Sequence, residues 1–334
     1  MKSLNKAILF LLIPMVMSLS GCDLLFNAES IEKQNSSTNI SSDSSEESIS
    51  YKSVDINTDD YIEAHYTLEG YNDPNTGYQG YKITGYKHNK KESPDIVVPK
   101  EYNGRRIIAI SSFSSDSTVP ITSVYVHESI IYISTTCVEK CPNFDSFIVD
   151  ENNEHYTSIN GALYSKDETT LIKCPTARTG RFVIPDNVTT VGDQAFIFCS
   201  KLTSIVFHEN VNYVGLDNFY GCSSLENVNL PNSMTSIPET LFANCASLTS
   251  ITIPDNVESI NYRGFSDCKG LKEVVIPNKV KSIAAFAFGG CTSLTTITFK
   301  GTKEEWNSIE KDETWNIGVP ATTVHCSDGN INID

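Results

Sequence analysis

A chain of 334 residues that is 40% hydrophobic and 20% charged has a folding composition, which excludes wholesale disorder. Its 25 Lys and Arg stand against 41 Asp and Glu, and the net charge of −16 argues against nucleic acid, whose phosphates call for basic clusters. Ten cysteines would suggest a disulfide framework if half of them did not recur at one fixed interval. Residues 1–21 have the layout of a sorting segment: Lys2 and Lys6 form a basic start and residues 7–17 an apolar run. That run is too short to span roughly 30 Å of hydrocarbon, so the segment is expected to be a signal peptide and not a stable membrane helix.

Leu19-Ser20-Gly21-Cys22 closes the segment and resembles the bacterial lipobox. The resemblance implies that Cys22 becomes the lipid-modified first residue of the mature chain, held extracytoplasmically at the membrane of a bacterial envelope. Residues 22–58 then form an acidic, Ser-rich stretch. Between Asp23 and Glu63 stand ten acids and two lysines, a net of −8, so half of the charge of the chain sits in this region. Such a stretch cannot bury enough apolar surface to offset its conformational entropy, and it is expected to serve as a disordered tether. Residues 59–117 are expected to hold an N-terminal cap and an irregular first repeat, with Asn72 to Gly77 as turn chemistry.

From residue 118 to 300 the sequence repeats every 23 residues. Cys199, Cys222, Cys245, Cys268 and Cys291 mark the frame, and Cys141 joins it after an insertion. Leu202, Leu225, Leu248, Leu271 and Leu294 follow the cysteines, and Phe196, Phe219, Phe242, Phe265 and Phe288 precede them. Each Leu opens an apolar pattern such as Leu-x-x-Ile-x-Ile, as in Leu248 to Ile253, that alternates at its end, the mark of a strand pointing apolar residues inward. Pro231, Pro254 and Pro277 stop that strand, and a second inward pair such as Val257 and Ile260 follows. A period of this length signals a solenoid, in which stacking supplies the core that one turn lacks. Upstream, Thr118 stands in the cysteine position and Ser115 in that of the phenylalanine. The excess length near residues 150–180 contains Asn160-Gly161, a two-residue hairpin signal, and a projecting hairpin is expected there.

These repeats resemble the BspA-type leucine-rich repeats of bacterial surface proteins. The resemblance runs from about Tyr66 to the C-terminus and is most specific between Arg181 and Phe299, with residues 97–104 and 323–329 similar to the opening and closing segments of the family. It implies an α/β, strand-rich leucine-rich repeat solenoid with a parallel sheet, acting in binding or adhesion. Residues 301–334 are expected to form a C-terminal helical cap, because Thr302 and Glu305 compose a capping box ahead of Trp306 and Ile309. Trp306 and Trp315 are then a lid over the last repeat or an aromatic binding site, and the lid is the simpler reading.

Residues for chemistry are sparse. The cysteine ladder points inward and parallel, and stacked rungs are close enough to pair, yet five consecutive rungs cannot all do so. Free thiols acting as small apolar residues fit better. Cys137 and Cys141 lack the further ligands of a metal site, and no phosphate-cradling or nucleophile motif is present, so neither metal, cofactor nor enzymatic activity is expected. His127 and His208 take the slot that proline holds elsewhere and are expected in exposed turns. What remains is surface. Between the two inward residues of each strand one side chain points out: Tyr125, Ile148, Val183, Val206, Asn229, Thr252, Val275 and Thr298. They form a candidate face for a protein or glycan ligand, or a solvated ladder chosen for β-propensity alone. An adhesin is the leading expectation, and an envelope scaffold or accessory lipoprotein the alternative.

Overall fold

Residues 23 apart come to lie on top of one another. The computed structural model describes residues 56–87, 95–113 and 121–333; the signal peptide, Cys22, the tether up to residue 55 and the frame positions Ser115 and Thr118 lie outside the described residues. Each turn of the repeat supplies a strand to a parallel ladder, in one sheet through Gly180–Val183, Leu202–Val206 and Asn227–Asn229 and in a second through Ser250–Thr252, Glu273–Ile276 and Thr296–Phe299. In register, Ile205 lies beside Val228 and Val274 beside Ile297, so one rung is one period. The second inward pair forms a shorter parallel ladder through Thr190–Val191 and Tyr213–Val214, and again through Ser236–Ile237, Ser259–Ile260, Ser282–Ile283 and Glu310–Lys311. The result is a strand-rich parallel solenoid.

Equal residues stack because equal slots face one another. Phe219, Phe242, Phe265 and Phe288 are fully buried, their ring centroids 5.1–5.3 Å apart. Trp315 ends this column, 6.0 Å from Phe288, and Trp306 lies 5.8 Å from Trp315, so both tryptophans lie buried over the last repeat. Among the described residues the cysteines are free, and all but Cys326 are buried. Each thiol reaches back to a carbonyl of the previous rung: Cys222 to Phe196 O at 3.2 Å, Cys245 to Phe219 O at 3.1 Å, Cys268 to Phe242 O at 3.1 Å and Cys291 to Phe265 O at 3.0 Å. A small apolar side chain with one weak donor suits that slot. Thr176, in the same frame position, also reaches back, its hydroxyl donating to the carbonyl of the previous frame residue, Cys141 O.

Three expectations are corrected. Strands Tyr156–Ile159 and Ala162–Ser165 pair antiparallel about Asn160-Gly161, whose φ values of 50° and 80° suit the tight turn, but the hairpin does not project. Gly161 O accepts from Phe147 N at 2.9 Å, and Ala162, Leu163 and Tyr164 are buried because their apolar side chains fill the gap that the insertion opens. The helical cap reduces to one helix of six residues, Lys303–Ser308. Its capping box on Thr302 and Glu305 is formed, but the exposed edge of the last rung is covered by the antiparallel strand Gly329–Asn332 on Thr323–Cys326. His127 is not exposed: its Nε2 donates to Pro99 O at 3.0 Å while Nδ1 accepts from Ser129 N, which pairs both ring nitrogens inside the turn. His208 repeats the arrangement on Pro185 O and Asn210 N and is half-buried.

At the N-terminal end Thr58 caps the helix Asp59–His65, and strands Tyr66–Asn72 and Gln79–Tyr86 form a hairpin. The second of these pairs in parallel with Arg105–Ile110, which continues to Tyr132–Ile133 and so starts the stack.

Candidate binding surface

The outward positions do line up. Val97 lies beside Tyr125 and Tyr125 beside Ile148; Val183 beside Val206 and Val206 beside Asn229; Thr252 beside Val275, Val275 beside Thr298 and Thr298 beside His325. Neighbours in such a row stand about 4.8 Å apart. Sheet pairing is interrupted after Ile148, where the hairpin turn takes Phe147 N, and again between Asn229 and Thr252. The row is therefore three segments.

Exposure along the row is uneven. Val183 is 55% exposed, and Asn229 and Thr252 are exposed, whereas Tyr125, Ile148, Val206, Val275 and Thr298 are half-buried. The hydroxyl of Tyr125 donates to Asp150 Oδ2 at 2.6 Å. Burial pushes the Asp150 carboxyl up, but hydrogen bonds from Tyr125 and Asn152 outweigh it and hold the group below its ordinary value. Tyr125 thus arrives with its polar end already committed, and the apolar centre of the row is Val183 with Val206.

Most of the large exposed apolar side chains lie elsewhere. Tyr213 is on the shorter ladder, and Phe198, Leu216, Tyr262 and Ile317 are in the turns between that ladder and the cysteine column. The backbone explains the shape of this side. Gln194, Asp217, Thr240, Arg263 and Phe286, each five residues before its cysteine, all have φ between 50° and 59°. A second left-handed position falls one residue before the cysteine, at Phe198, Gly221, Asn244, Asp267 and Gly290. Asp217 links Gln194 to Thr240 by hydrogen bonds across successive rungs, and Thr135 donates to Gln194. Gly221 matters for space: a Cβ there would lie 2.7 Å from the Phe198 ring, which instead rests against the glycine and meets Tyr220 edge-on at 5.4 Å.

Apolar periodicity did not reveal this side, since the exposed aromatics occupy non-repeating identities within repeating slots. The left-handed slots themselves leave little trace in sequence, because only two of the ten residues just named are glycine.

Several buried titratable groups lie inside the solenoid. Lys173 is fully buried; its Nζ donates to Gln194 O at 3.1 Å, and burial pushes its pKa down. Burial pushes the His127 imidazole down to about 4 and the Cys137 thiol up to about 12. Among the described residues, no group of three or more His, Cys, Asp or Glu side chains could hold a metal ion. No helix among them is long and apolar enough to cross a membrane.

The BspA type leucine rich repeat region matches residues 174–295 and 259–312, in six copies. No curated protein matches the sequence. A leucine rich cell surface protein from Faecalibacterium prausnitzii is similar in structure, with 25% identity over 66% of this chain and 63% of that one and a TM-score of 0.56. This chain therefore spans less than two thirds of that protein. A leucine-rich repeat protein from Eubacterium ventriosum gives 24% identity, 71% and 69% coverage and a TM-score of 0.53. The pneumococcal vaccine antigen PcpA gives 18% identity, 68% and 67% coverage and 0.51. The last two share the fold. Residues 174–312 are thus BspA-type leucine-rich repeats.

Proposed function

We propose that this chain is a bacterial surface protein, anchored by lipid on Cys22, whose solenoid binds a protein or glycan partner in adhesion. The observation that carries the reading is an outward apolar pair, exposed Val183 and half-buried Val206, held in register on a parallel sheet. Side chains fixed on stacked rungs lose little entropy when a partner docks on them. The name of the Faecalibacterium protein as a cell surface protein supports the location. The role proposed is binding and not catalysis, and a hydrolase panel on the purified protein should show no turnover.

The test is capture from host extracellular matrix and, separately, from the envelope of the producing cell. Val183→Lys with Val206→Lys should weaken matrix capture about tenfold, the scale of one hot spot, and leave the thermal midpoint nearly unchanged. Thr252→Lys should matter less. Capture from the envelope alone would favour an accessory or scaffold role, and unaltered binding by the double variant would remove the sheet face from the reading. In cells, Cys22→Ala should release the protein to the soluble fraction and abolish labelling by a fatty-acid analogue. Retained labelling would exclude Cys22 as the anchor.

A further inference from the structure

Arg263 is exposed in a turn of the solenoid, in the left-handed conformation at φ 54°. Its guanidinium carbon lies 5.1 Å from the ring centroid of Tyr262 and 5.7 Å from that of Phe286 in the next rung. The two rings meet edge-on at 6.2 Å. Tyr262 is 39% exposed, and Phe286 is half-buried. The counterparts of Arg263 in earlier rungs, Gln194, Asp217 and Thr240, satisfy one another by hydrogen bonds across the stack. Arg263 does not join them. Among the described residues it makes no ion pair, although the chain carries 41 acids and Glu239 occupies the frame position of Tyr262 one rung before.

A guanidinium braced by two aromatic faces keeps its planar fork of donors oriented, so less freedom is lost when it grips a carboxylate through two bonds. Beside it, Tyr262 offers partly exposed aromatic surface with a polar tip. The main chain here is already paired between rungs: Thr240 N donates to Tyr262 O, Arg263 N to Ala285 O, Phe242 N to Gly264 O and Phe265 N to Ala287 O. An extended peptide could not add to this backbone as a strand. A ligand recognised by side chains alone fits better, and a ring with an attached carboxylate matches both groups at once.

We propose that Tyr262, Arg263 and Phe286 form a subsite for a carboxylate-bearing sugar, the ring lying on Tyr262 and the carboxylate on Arg263. This rests on the reading of the chain as a surface binding protein and narrows the ligand class. It also places the contact on the turn side, away from the Val183 and Val206 row.

The experiment is calorimetric titration of the full chain carrying Cys22→Ala with sialyllactose and with a galacturonic acid oligomer, which separate the two sources of sugar carboxylate. Lactose and the methyl ester of sialyllactose serve as controls. At least one acidic sugar should bind with a Kd in the millimolar range or better, and the uncharged controls at least about tenfold more weakly. Arg263→Gln and Tyr262→Ala should each weaken binding about tenfold at an unchanged thermal midpoint. Arg263→Lys, which keeps charge and loses the fork, should fall between. Equal binding of the neutral sugars, an unaffected Arg263→Gln variant, or no heat from either acidic sugar would overturn the proposal. An acidic peptide bound through Arg263 instead would overturn the sugar assignment and leave the surface-binding reading standing. Loss of all matrix and envelope capture would sink that broader reading without altering these titrations.

Discussion

His127 shows what a single buried side chain contributes. Its two ring nitrogens brace a turn that Pro231, Pro254 and Pro277 brace in later rungs with a fixed φ. The imidazole is held neutral, with its pKa pushed by burial to about 4, so the unfolded chain binds more protons below pH 6.5. Stability should therefore fall as pH drops from 6.5 to 4, by up to roughly 3 kcal/mol from this residue. His127→Pro should keep the fold and lose that part of the acid dependence in urea titrations at pH 7 and pH 4. Identical pH slopes in the two proteins would show that the imidazole charges freely in the folded state. Lys173 has the same sense of dependence at the other end of the scale. Its lowered pKa means that the unfolded chain holds the proton more tightly, so stability rises with pH through the window that ends at 10.5. The buried thiols act in the opposite direction above pH 9, because their raised pKa values let the unfolded chain ionise first. Lys173→Met, nearly equal in volume and free of the buried amine, should match or exceed the parent at pH 7 and flatten the rise in stability on the approach to pH 10.5. A loss of several kcal/mol at pH 7 would mean that the bond to Gln194 O outweighs the burial of the amine.

At the scale of the rung, the column of phenylalanines sets stability. Phe242 is fully buried between Phe219 at 5.1 Å and Phe265 at 5.3 Å, so Phe242→Ala removes a ring from a stack that cannot collapse around it. The cost should be about 3 to 5 kcal/mol, while Thr252→Ala on the exposed face stays within about 0.5 kcal/mol. Equal shifts in the midpoint of chemical denaturation would contradict the assignment of inside and outside. That assignment was legible before any coordinates, because burial recurs at fixed slots: Ile251 and Ile253 are inward with Thr252 between them, and the register places Thr252 beside Val275. The Asn160-Gly161 turn was legible from its residue pair. Its burial was not, because a turn signal fixes local φ and ψ and says nothing of the gap that Leu163 and Tyr164 fill. The same limit hid the aromatic turn side. Tyr262 and Phe286 meet across a rung boundary, from slots that hold Glu239 and Arg263 one turn earlier, and no period of hydrophobicity brings such a pair together.

Over the whole repeat body, the hydrophobic interior is two clusters and not one. One gathers Ile62 to Phe147 with Leu163, and the other runs from Ala162 and Tyr164 to Val324. They meet at the hairpin, where consecutive buried residues alternate between the two: Leu163 packs into the first, and Ala162 and Tyr164 into the second. In a stacked array, stability is a sum of terms within rungs and terms between neighbours, so weakening one interface uncouples the two sides without unfolding either. Tyr164, 2% exposed, is the largest side chain at this junction. Tyr164→Ala should therefore split the denaturation curve into two transitions, with the smaller N-terminal cluster opening first. Hydrogen exchange should show the order directly: amides of Ser123–Val126 and Ser146–Val149 lose protection at lower denaturant than those of Glu273–Ile276 and Thr296–Phe299. Phe242→Ala, well inside the second cluster, should instead lower protection there and leave Ser123–Val126 as it was. A single transition in the Tyr164 variant, with protection lost everywhere at once, would mean that the backbone bond from Phe147 to Gly161 is enough to make the solenoid cooperate across the insertion.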